Sequence, residues 1–222
     1  MYKLYYIPLN FYCRAARLIL LEKKISFEII NEPYWKRRED FLKINPAGDL
    51  PVIVDDENIN IIGYELLVEY LDEKKIGKNL LGNNPKERLE SRRLCTWVSR
   101  KLEKEVMKNI LDERVFKSLK ENNQPSTVAL NAGRKNLKNH MSYFNWLLNR
   151  RSFLSGDNFN VADISLASAL SSLDYLNEVD WNNFENVKNW YALIKSRPTF
   201  RVILEESIYN ILPSNHYKDL DF

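Results

Sequence analysis

The sequence predicts an α+β protein in which a small mixed domain precedes an all-helical one. Three observations lead to this prediction. Up to residue 76, short strand-like runs alternate with amphipathic segments in the order βαβ, α, ββ, α. A stretch rich in Lys, Gly and Asn follows, and the longer apolar patterns beyond it have helical spacing. We therefore expect a mixed domain at 1–76, a linker at 77–85, an all-helical domain at 86–209 and a C-terminal docking tail at 210–222.

Composition narrows the class of protein. The chain has 222 residues, of which 45% are hydrophobic and 28% charged, as in ordinary globular proteins. The net charge of +3 is small and acidic residues are interleaved with basic ones, which argues against a nucleic-acid partner. No apolar run reaches membrane-spanning length, and the first residues lack the pattern of a signal peptide. We expect a soluble, cytoplasmic protein without membrane insertion.

Cysteine and histidine are scarce. The two cysteines, Cys13 and Cys95, lie too far apart in sequence for a dense disulfide framework, which fits a reducing compartment. The two histidines, His140 and His216, form no cluster with them at ligand spacing. We therefore predict no metal site.

Turn residues and apolar alternation place the elements of the mixed domain. The predicted elements are strands at 3–7 and 26–30, a helix from about 10 to 23, a short helix ending near Leu42, strands at 50–55 and 58–62, and a helix at 64–73. Asn10 or a near neighbour is the expected cap of the first helix. This order of elements matches a thioredoxin-like domain.

Pro51 stands at the entrance of the third predicted strand. Proline has no backbone N–H, so it is tolerated where the sheet requires no donor. The neighbouring backbone groups are then free to pair with an extended ligand. The stretch 44–71 therefore suggests a peptide site.

Helical periodicity continues through the second domain. We predict helices at 87–121, 126–149, from 160 onward, 184–195 and 198–207. Pro85 suits the first turn of a helix, and Asn160 with Asp163 has the spacing of a capping box. The tail alternates acidic and apolar residues up to Phe222, which is unlike a disposable polar end and indicates docking.

Four short motifs occur along the chain in an order that is typical of one protein superfamily. They are Asn45-Pro46-Ala47-Gly48, Leu50-Pro51-Val52, Glu69-Tyr70-Leu71 and Val161-Ala162-Asp163. On these residues the chain resembles the glutathione transferase superfamily over essentially its whole length. The resemblance implies a thioredoxin-like N-terminal domain joined to an all-α C-terminal domain, and a homodimer. It also implies a glutathione site that can be checked residue by residue.

The enzymes of this family place a hydroxyl or thiol at the start of the first helix, where the helix N-terminus stabilises the glutathione thiolate. The matching position here is Asn10, which can donate a hydrogen bond but is no nucleophile. Cys13 lies one turn further on, where a small buried residue is the simpler expectation. Our catalytic candidates are therefore Asn10, Tyr12 and Cys13, with Tyr5 and Tyr6 as further donors.

The rest of the glutathione site matches only in part. The resemblance assigns the backbone of Leu50, beside a cis-proline at Pro51, to the cysteinyl part of the ligand. Family members hold the γ-glutamyl group with an acidic residue followed by a serine, and the matching positions in this chain are occupied by Gly63 and Tyr64. Glu65 is one residue further on, which turns its side chain about 100° around the helix from the tyrosine's position. Loss of a charge-assisted pair costs about 1.5–3 kcal/mol. We therefore expect no required cofactor and weak binding of glutathione.

A narrower resemblance concerns two other segments, Tyr34-Trp35-x-x-Arg38 and the final His-Tyr-x-Asp-Leu-Asp-Phe. Both resemble a bacterial division-factor branch of the superfamily. That resemblance implies a dimeric, non-catalytic protein that binds the tubulin-like FtsZ and modulates its filaments. The implied partner-binding residues are Trp35, Arg38, Tyr217, Asp219, Leu220, Asp221 and Phe222.

Other interpretations stay open at this point. Trp35 could simply close the domain boundary, and the tail could pack on the protein's own flank. The competing function is an enzyme that conjugates glutathione to small electrophiles through a thiolate activated near Asn10 or Tyr12. A scaffold that reuses the fold with another partner is a third. Leu89, Trp97 and Tyr143 are expected to be core or dimer contacts.

Overall fold

The computed structural model describes residues 1–121, 124–208 and 210–220. Its N-terminal part contains a four-stranded sheet with the strand order β2-β1-β3-β4. The strands are β1 (Tyr2–Tyr6), β2 (Phe27–Asn31), β3 (Val52–Val54) and β4 (Asn60–Ile62). β1 pairs in parallel with β2 and antiparallel with β3, and β3 pairs antiparallel with β4. This mixed sheet is the thioredoxin-like arrangement that the sequence predicts.

Three helices and one 3-10 turn complete the N-terminal part. They are α1 (Phe11–Glu22), α2 (Glu39–Ile44), α3 (Tyr64–Glu73) and the turn Tyr34–Lys36. The predicted cap of α1 is confirmed, because the Asn10 side chain accepts a hydrogen bond from the Cys13 backbone N–H at 3.1 Å. The cap orients the start of α1 toward the boundary with the helical part.

The C-terminal part is helical, as predicted. Its first segment is continuous from α4 (Pro85–Thr96) through a stretch with π-type hydrogen bonding (Trp97–Phe116) to α5 (Lys117–Glu121). It is followed by α6 (Thr127–Leu148), α7 (Val161–Tyr175), a 3-10 turn (Trp181–Asn183), α8 (Glu185–Lys195) and α9 (Pro198–Leu204). Every residue of α7 is buried, so this helix forms the centre of the helical part.

The capping box of α7 is also confirmed. The Asp163 carboxylate accepts hydrogen bonds from the backbone N–H groups of Asn160 and Leu154, each at 3.0 Å, and from Trp190 Nε1 at 2.9 Å. Burial raises the pKa of Asp163 to about 6 in spite of these three donors. One side chain therefore fixes the start of α7, the preceding loop and helix α8.

The hairpin β3–β4 is shorter than predicted. The Leu50–Pro51 peptide bond is cis, and the ladder begins only at Val52. At the other end the Asp55 carboxylate accepts hydrogen bonds from the N–H groups of Glu57 and Ile59, which closes a turn before Asn60. A side chain that satisfies backbone donors in this way favours a turn over continued pairing.

None of the described helices is long and apolar enough to cross a membrane.

Candidate functional site

A cleft of about 440 Å³ lies between the two parts of the fold. Its walls come from the start of α1, the loop before β3, the end of β4, the start of α3 and the middle of the long helix. The lining residues are Asn10, Phe11, Tyr12, Tyr34, Asp49, Leu50, Ile62, Gly63, Glu65, Glu103, Met107, Lys108, Leu111, Asp112 and Phe116. The volume lies in the range of small-molecule sites in proteins.

Two of the proposed sulfur-binding residues, Asn10 and Tyr12, line this cleft. The Asn10 amide oxygen is engaged in the α1 cap. The Tyr12 hydroxyl donates to the Ser99 carbonyl oxygen at 2.7 Å, and burial raises the pKa of the phenol. A phenol that keeps its proton on a backbone carbonyl is poorly placed to stabilise a thiolate.

The other candidates lie elsewhere. Cys13 is fully buried in the core, and burial raises the pKa of its thiol. The Tyr6 hydroxyl donates to Glu206, and the Tyr5 ring lies against Phe41 with 5.6 Å between ring centroids. These side chains support the fold instead of facing the cleft.

The structure places some of the glutathione-site positions at the cleft and buries another. Leu50 and Gly63 line the cleft beside the cis peptide bond, and the Gly63 N–H donates to the Pro51 carbonyl oxygen at 3.0 Å. Tyr64 is fully buried, and its hydroxyl lies 2.7 Å from Ser165 Oγ. The assignment of Tyr64 to a ligand-facing position is therefore corrected. Its neighbour Glu65 lines the cleft instead.

The cleft is acidic. Four of its lining residues carry carboxylates, namely Asp49, Glu65, Glu103 and Asp112, whereas Lys108 contributes the one cationic side chain among the described lining residues. Lys108 Nζ lies 3.8 Å from Glu103 Oε1. Burial raises the pKa of both Glu103 and Asp112. Glutathione carries more negative than positive charge at neutral pH, so this lining disfavours it.

The first predicted partner segment is a short turn. Trp35 sits in the 3-10 turn between β2 and α2, is half-buried, and lies edge-on to Tyr34 with 5.4 Å between ring centroids. Arg38 Nη2 donates to Glu32 Oε2 at 2.6 Å, and the Glu32 side chain is fully buried. Arg38 therefore neutralises a buried carboxylate and holds this loop.

The second predicted partner segment packs on the protein itself. Tyr217 is fully buried and lies edge-on to Tyr175, with 5.1 Å between ring centroids. His216 Nε2 lies 2.8 Å from the Asp174 carboxylate, and Leu220 packs partly against the core.

Burial changes the role of one tail residue. Tyr217 has no exposed surface, and its ring contacts the protein's own core. Asp219 is exposed, while Asp221 and Phe222 lie outside the described residues.

The family follows from comparisons with known proteins. Residues 4–79 match the N-terminal domain of glutathione S-transferase and residues 109–205 match its C-terminal domain. The chain belongs to the glutathione transferase family. It is 37% identical over 222 residues to FtsZ-localized protein A of Caulobacter vibrioides (strain NA1000 / CB15N), an alignment that covers 99% of this chain and 97% of that protein.

Two solved structures with different names are similar to this chain to nearly the same degree. FzlA from C. crescentus superposes with a TM-score of 0.96 at 37% identity, covering 100% of this chain and 99% of that one. A structure titled glutathione S-transferase from Rhodospirillum rubrum F11 superposes with a TM-score of 0.97 at 40% identity over 100% of both chains. The likeness extends through the tail in both cases, so it fixes the fold and family but not the chemistry.

Tyr6 contacts both the start of the Trp35 loop and the segment that precedes the C-terminal tail. Its carbonyl oxygen accepts the Glu32 N–H at 3.0 Å, which fixes the start of the loop that carries Trp35. Its hydroxyl donates to Glu206, the residue directly after the C-cap of α9. One residue at the end of β1 therefore holds both the start of the Trp35 loop and the segment that leads into the tail.

Sequence reasoning missed most of the acidic lining. Asp49 and Glu65 could have been found from their position beside Pro51 and Gly63. Glu103 and Asp112 lie on the long helix. Helical spacing in the sequence shows which residues share a face of that helix, but it does not show that this face lies against the N-terminal part. The ring of Phe116 joins the same cleft for the same reason.

Proposed function

We propose that this member of the glutathione transferase family is a cytoplasmic binding protein for FtsZ, which modulates FtsZ filaments at the division site and does not conjugate glutathione. The observation that carries the proposal is the 37% identity to FtsZ-localized protein A along 99% of this chain. That relative is named for its localisation with FtsZ. The similarity includes both segments on which the partner prediction rests.

The chemistry of the cleft supports binding over catalysis. Asn10 caps a helix, Tyr12 donates to a backbone carbonyl, and Cys13 is buried with a raised thiol pKa. A transferase needs a group that lowers the pKa of the glutathione thiol, and none of these three is placed to do so. The acidic lining works in the same direction because it repels the carboxylates of glutathione.

The proposed partner surface has two parts. Trp35 supplies an aromatic ring of the kind that anchors protein interfaces, and Asp219 supplies an exposed charge in the tail. Leu220, Asp221 and Phe222 belong to the proposed surface on their sequence alone, since the last two lie outside the described residues. Arg38 and Tyr217 serve it indirectly: the first holds the Trp35 loop through Glu32, and the second holds the tail in the core.

We also propose a homodimer. Leu66 on α3, Leu89 on α4 and Trp146 on α6 are large apolar side chains with 61%, 68% and 53% exposure. Trp146 continues a stack with Tyr143 and Trp97, whose ring centroids are 6.3 Å and 4.4 Å apart in turn. Covering these side chains with a second copy would remove them from water. A dimer would also present two partner surfaces to a filament and bind it with avidity.

Co-sedimentation with FtsZ polymers tests the proposal. The purified protein is expected in the pellet when GTP drives polymerisation and in the supernatant without it. Trp35→Ala and Asp219→Ala should reduce the pelleted fraction, whereas Lys36→Ala, an exposed change in the same turn, should not. A protein that stays in the supernatant at all FtsZ concentrations would overturn the proposal. Normal pelleting of both variants would refute only the assigned surface.

The second candidate is a glutathione transferase enzyme. It is favoured by the retained Leu50 edge beside the cis-proline and by the 40% identity to a structure titled glutathione S-transferase. If this candidate is right, millimolar glutathione raises the melting temperature and the protein turns over a generic electrophile. That turnover should then fall in Asn10→Ala or Tyr12→Phe. Absence of both effects would leave binding as the function.

A further inference from the structure

The lining of the interdomain cleft carries more acidic than basic side chains. Three of its carboxylates, those of Asp49, Glu65 and Asp112, make no hydrogen bond or ion pair with any residue that the structure describes. The fourth, Glu103, has Lys108 at 3.8 Å. With one cation against four anions, the lining keeps an excess of negative charge around a cavity of about 440 Å³. Low-dielectric walls strengthen the field that such a cavity exerts on a ligand.

The cleft is also walled by aromatic rings. Phe11, Tyr12, Tyr34 and Phe116 line it together with the apolar side chains of Leu50, Ile62, Met107 and Leu111. Ring faces attract cations through their quadrupole, and apolar walls favour a hydrophobic stem. A ligand with an ammonium group on an aromatic or aliphatic body would satisfy both kinds of surface.

A cation of the protein itself lies over two of the rings that line this cleft. Lys120 Nζ lies 4.9 Å from the centroid of the Tyr34 ring and 5.8 Å from that of Phe116, and both rings line the cavity. Burial raises the pKa of Asp112, and the positive charge of Lys120 acts in the opposite direction and lowers it. Lys120 is an exposed residue at the end of α5, so a ligand could displace it at small cost. It shows independently that these rings accept an ammonium group.

We infer that the interdomain cleft binds a small organic cation, namely a primary ammonium carried on an aromatic or apolar stem, and discriminates against anions of the same size. Asp112, Glu103 and Glu65 receive the charge, and the rings of Tyr34 and Phe116 receive the stem. This activity is separate from FtsZ binding, and it neither requires nor excludes the proposed partner surface.

Two probes that share a phenylethyl stem and carry opposite charges test the inference by isothermal titration calorimetry on the full chain. Phenethylamine should bind saturably, and 3-phenylpropionate should not bind at the same concentrations. The affinity for phenethylamine should fall with added salt, because part of it is electrostatic. It should also fall as the pH is lowered, because burial raises the pKa of Glu103 and Asp112 and these two carboxylates then lose their negative charge at a higher pH than an ordinary carboxyl. The other charged groups around them are Asp49, Glu65, Lys108 and Lys120.

Variants separate the cleft from general electrostatics. Asp112→Asn should weaken phenethylamine binding about fivefold, the effect of about 1 kcal/mol of charge attraction. Asp56→Asn removes the same charge from the exposed β3–β4 turn, outside the cleft, and should leave the affinity unchanged. Lys120→Ala should tighten binding, because it removes the competing ammonium. Equal binding of both probes, no binding of phenethylamine at millimolar concentration, or equal effects of the two acidic variants would each overturn the inference.

Discussion

The Arg14 guanidinium and the Glu206 carboxylate join the first helix of the protein to the segment that follows the last one. Arg14 Nη2 lies 3.0 Å from Glu206 Oε2, and the two side chains are 0% and 7% exposed. Glu206 also accepts hydrogen bonds from Arg17 Nη1 at 2.7 Å and from the Tyr6 hydroxyl. The segment between α9 and the tail is thereby tied to the thioredoxin-like part, although it follows the last helix in sequence.

Glu206→Gln is expected to destabilise the fold by about 3 kcal/mol, because it leaves a buried arginine without its counter-charge. Urea unfolding measures the loss. Glu205→Gln is the matched control: its carboxylate is exposed and, among the described residues, pairs with Lys218 alone at 2.5 Å, so the change should stay within about 0.5 kcal/mol. Equal effects of the two substitutions would show that the buried contacts of Glu206 contribute little.

Tyr217→Ala is expected to cost about 3–5 kcal/mol, since it empties a fully buried aromatic position and removes the ring contact with Tyr175. Tyr217→Phe keeps the ring and removes only the hydroxyl, which donates a long hydrogen bond of 3.5 Å to the Ile203 carbonyl oxygen and interacts with the Arg14 guanidinium, so it should cost less. Thermal unfolding of both variants distinguishes the two effects. A small cost for Tyr217→Ala would mean that the tail leaves the core easily in solution.

The fold could be predicted from the sequence because its signals are local. The caps at Asn10 and Asn160, the proline at Pro85 and the turn before Pro51 act within a few residues, and each appears where expected.

The site depends on contacts that no local pattern encodes. Whether Tyr64 or Glu65 faces the cleft is decided by the backbone of Gly63, whose φ of 90° sets where α3 begins its first turn. A sequence pattern shows which residues share a face of a helix, but it does not show which face points toward the cleft.

The tail shows the same limit. Its alternating acidic and apolar residues predict docking, but they do not specify the surface. Tyr217 enters the protein's own core because α7 and α9 leave room for a ring there, and His216 meets the buried Asp174. Such contacts join residues more than 40 positions apart in sequence. They form only once the helices have packed, so no local sequence pattern predicts them. The functional consequence is that the partner prediction moves to the exposed Asp219 and the residues beyond it.

Both cysteines are expected to be inert in the folded protein. Cys13 and Cys95 are buried, and burial raises the pKa of each thiol, so the reactive thiolate is scarce at neutral pH. Alkylation by iodoacetamide should therefore follow the rate of unfolding and become rapid in urea. Fast alkylation of Cys13 in native buffer would contradict this and would restore it as a catalytic candidate. Cys95→Ala allows the two thiols to be scored separately.

The acid stability of the protein should depend on Glu22 at the end of α1. Burial raises the pKa of this carboxyl, but hydrogen bonds from Arg197, Lys78 and Thr199 outweigh burial and lower the pKa from 4.5 to about 2. Since the folded-state value lies below the ordinary one, Glu22 stabilises the fold above about pH 4.5. This contribution, about 2–3 kcal/mol, is lost as the pH falls toward 2.

Glu22→Gln should accordingly reduce the free energy of unfolding strongly at pH 7 and much less near pH 3, where the wild-type carboxylate is losing its advantage. Urea unfolding at several pH values measures the difference between the two proteins. Glu28→Gln on the exposed face of β2 is the control and should shift stability little at any pH, because no ion pair of that residue occurs within the described part of the chain. A wild-type advantage that stays constant from pH 7 to pH 3 would mean that packing around Glu22, and not its ionised carboxylate, joins α1 to the start of α9.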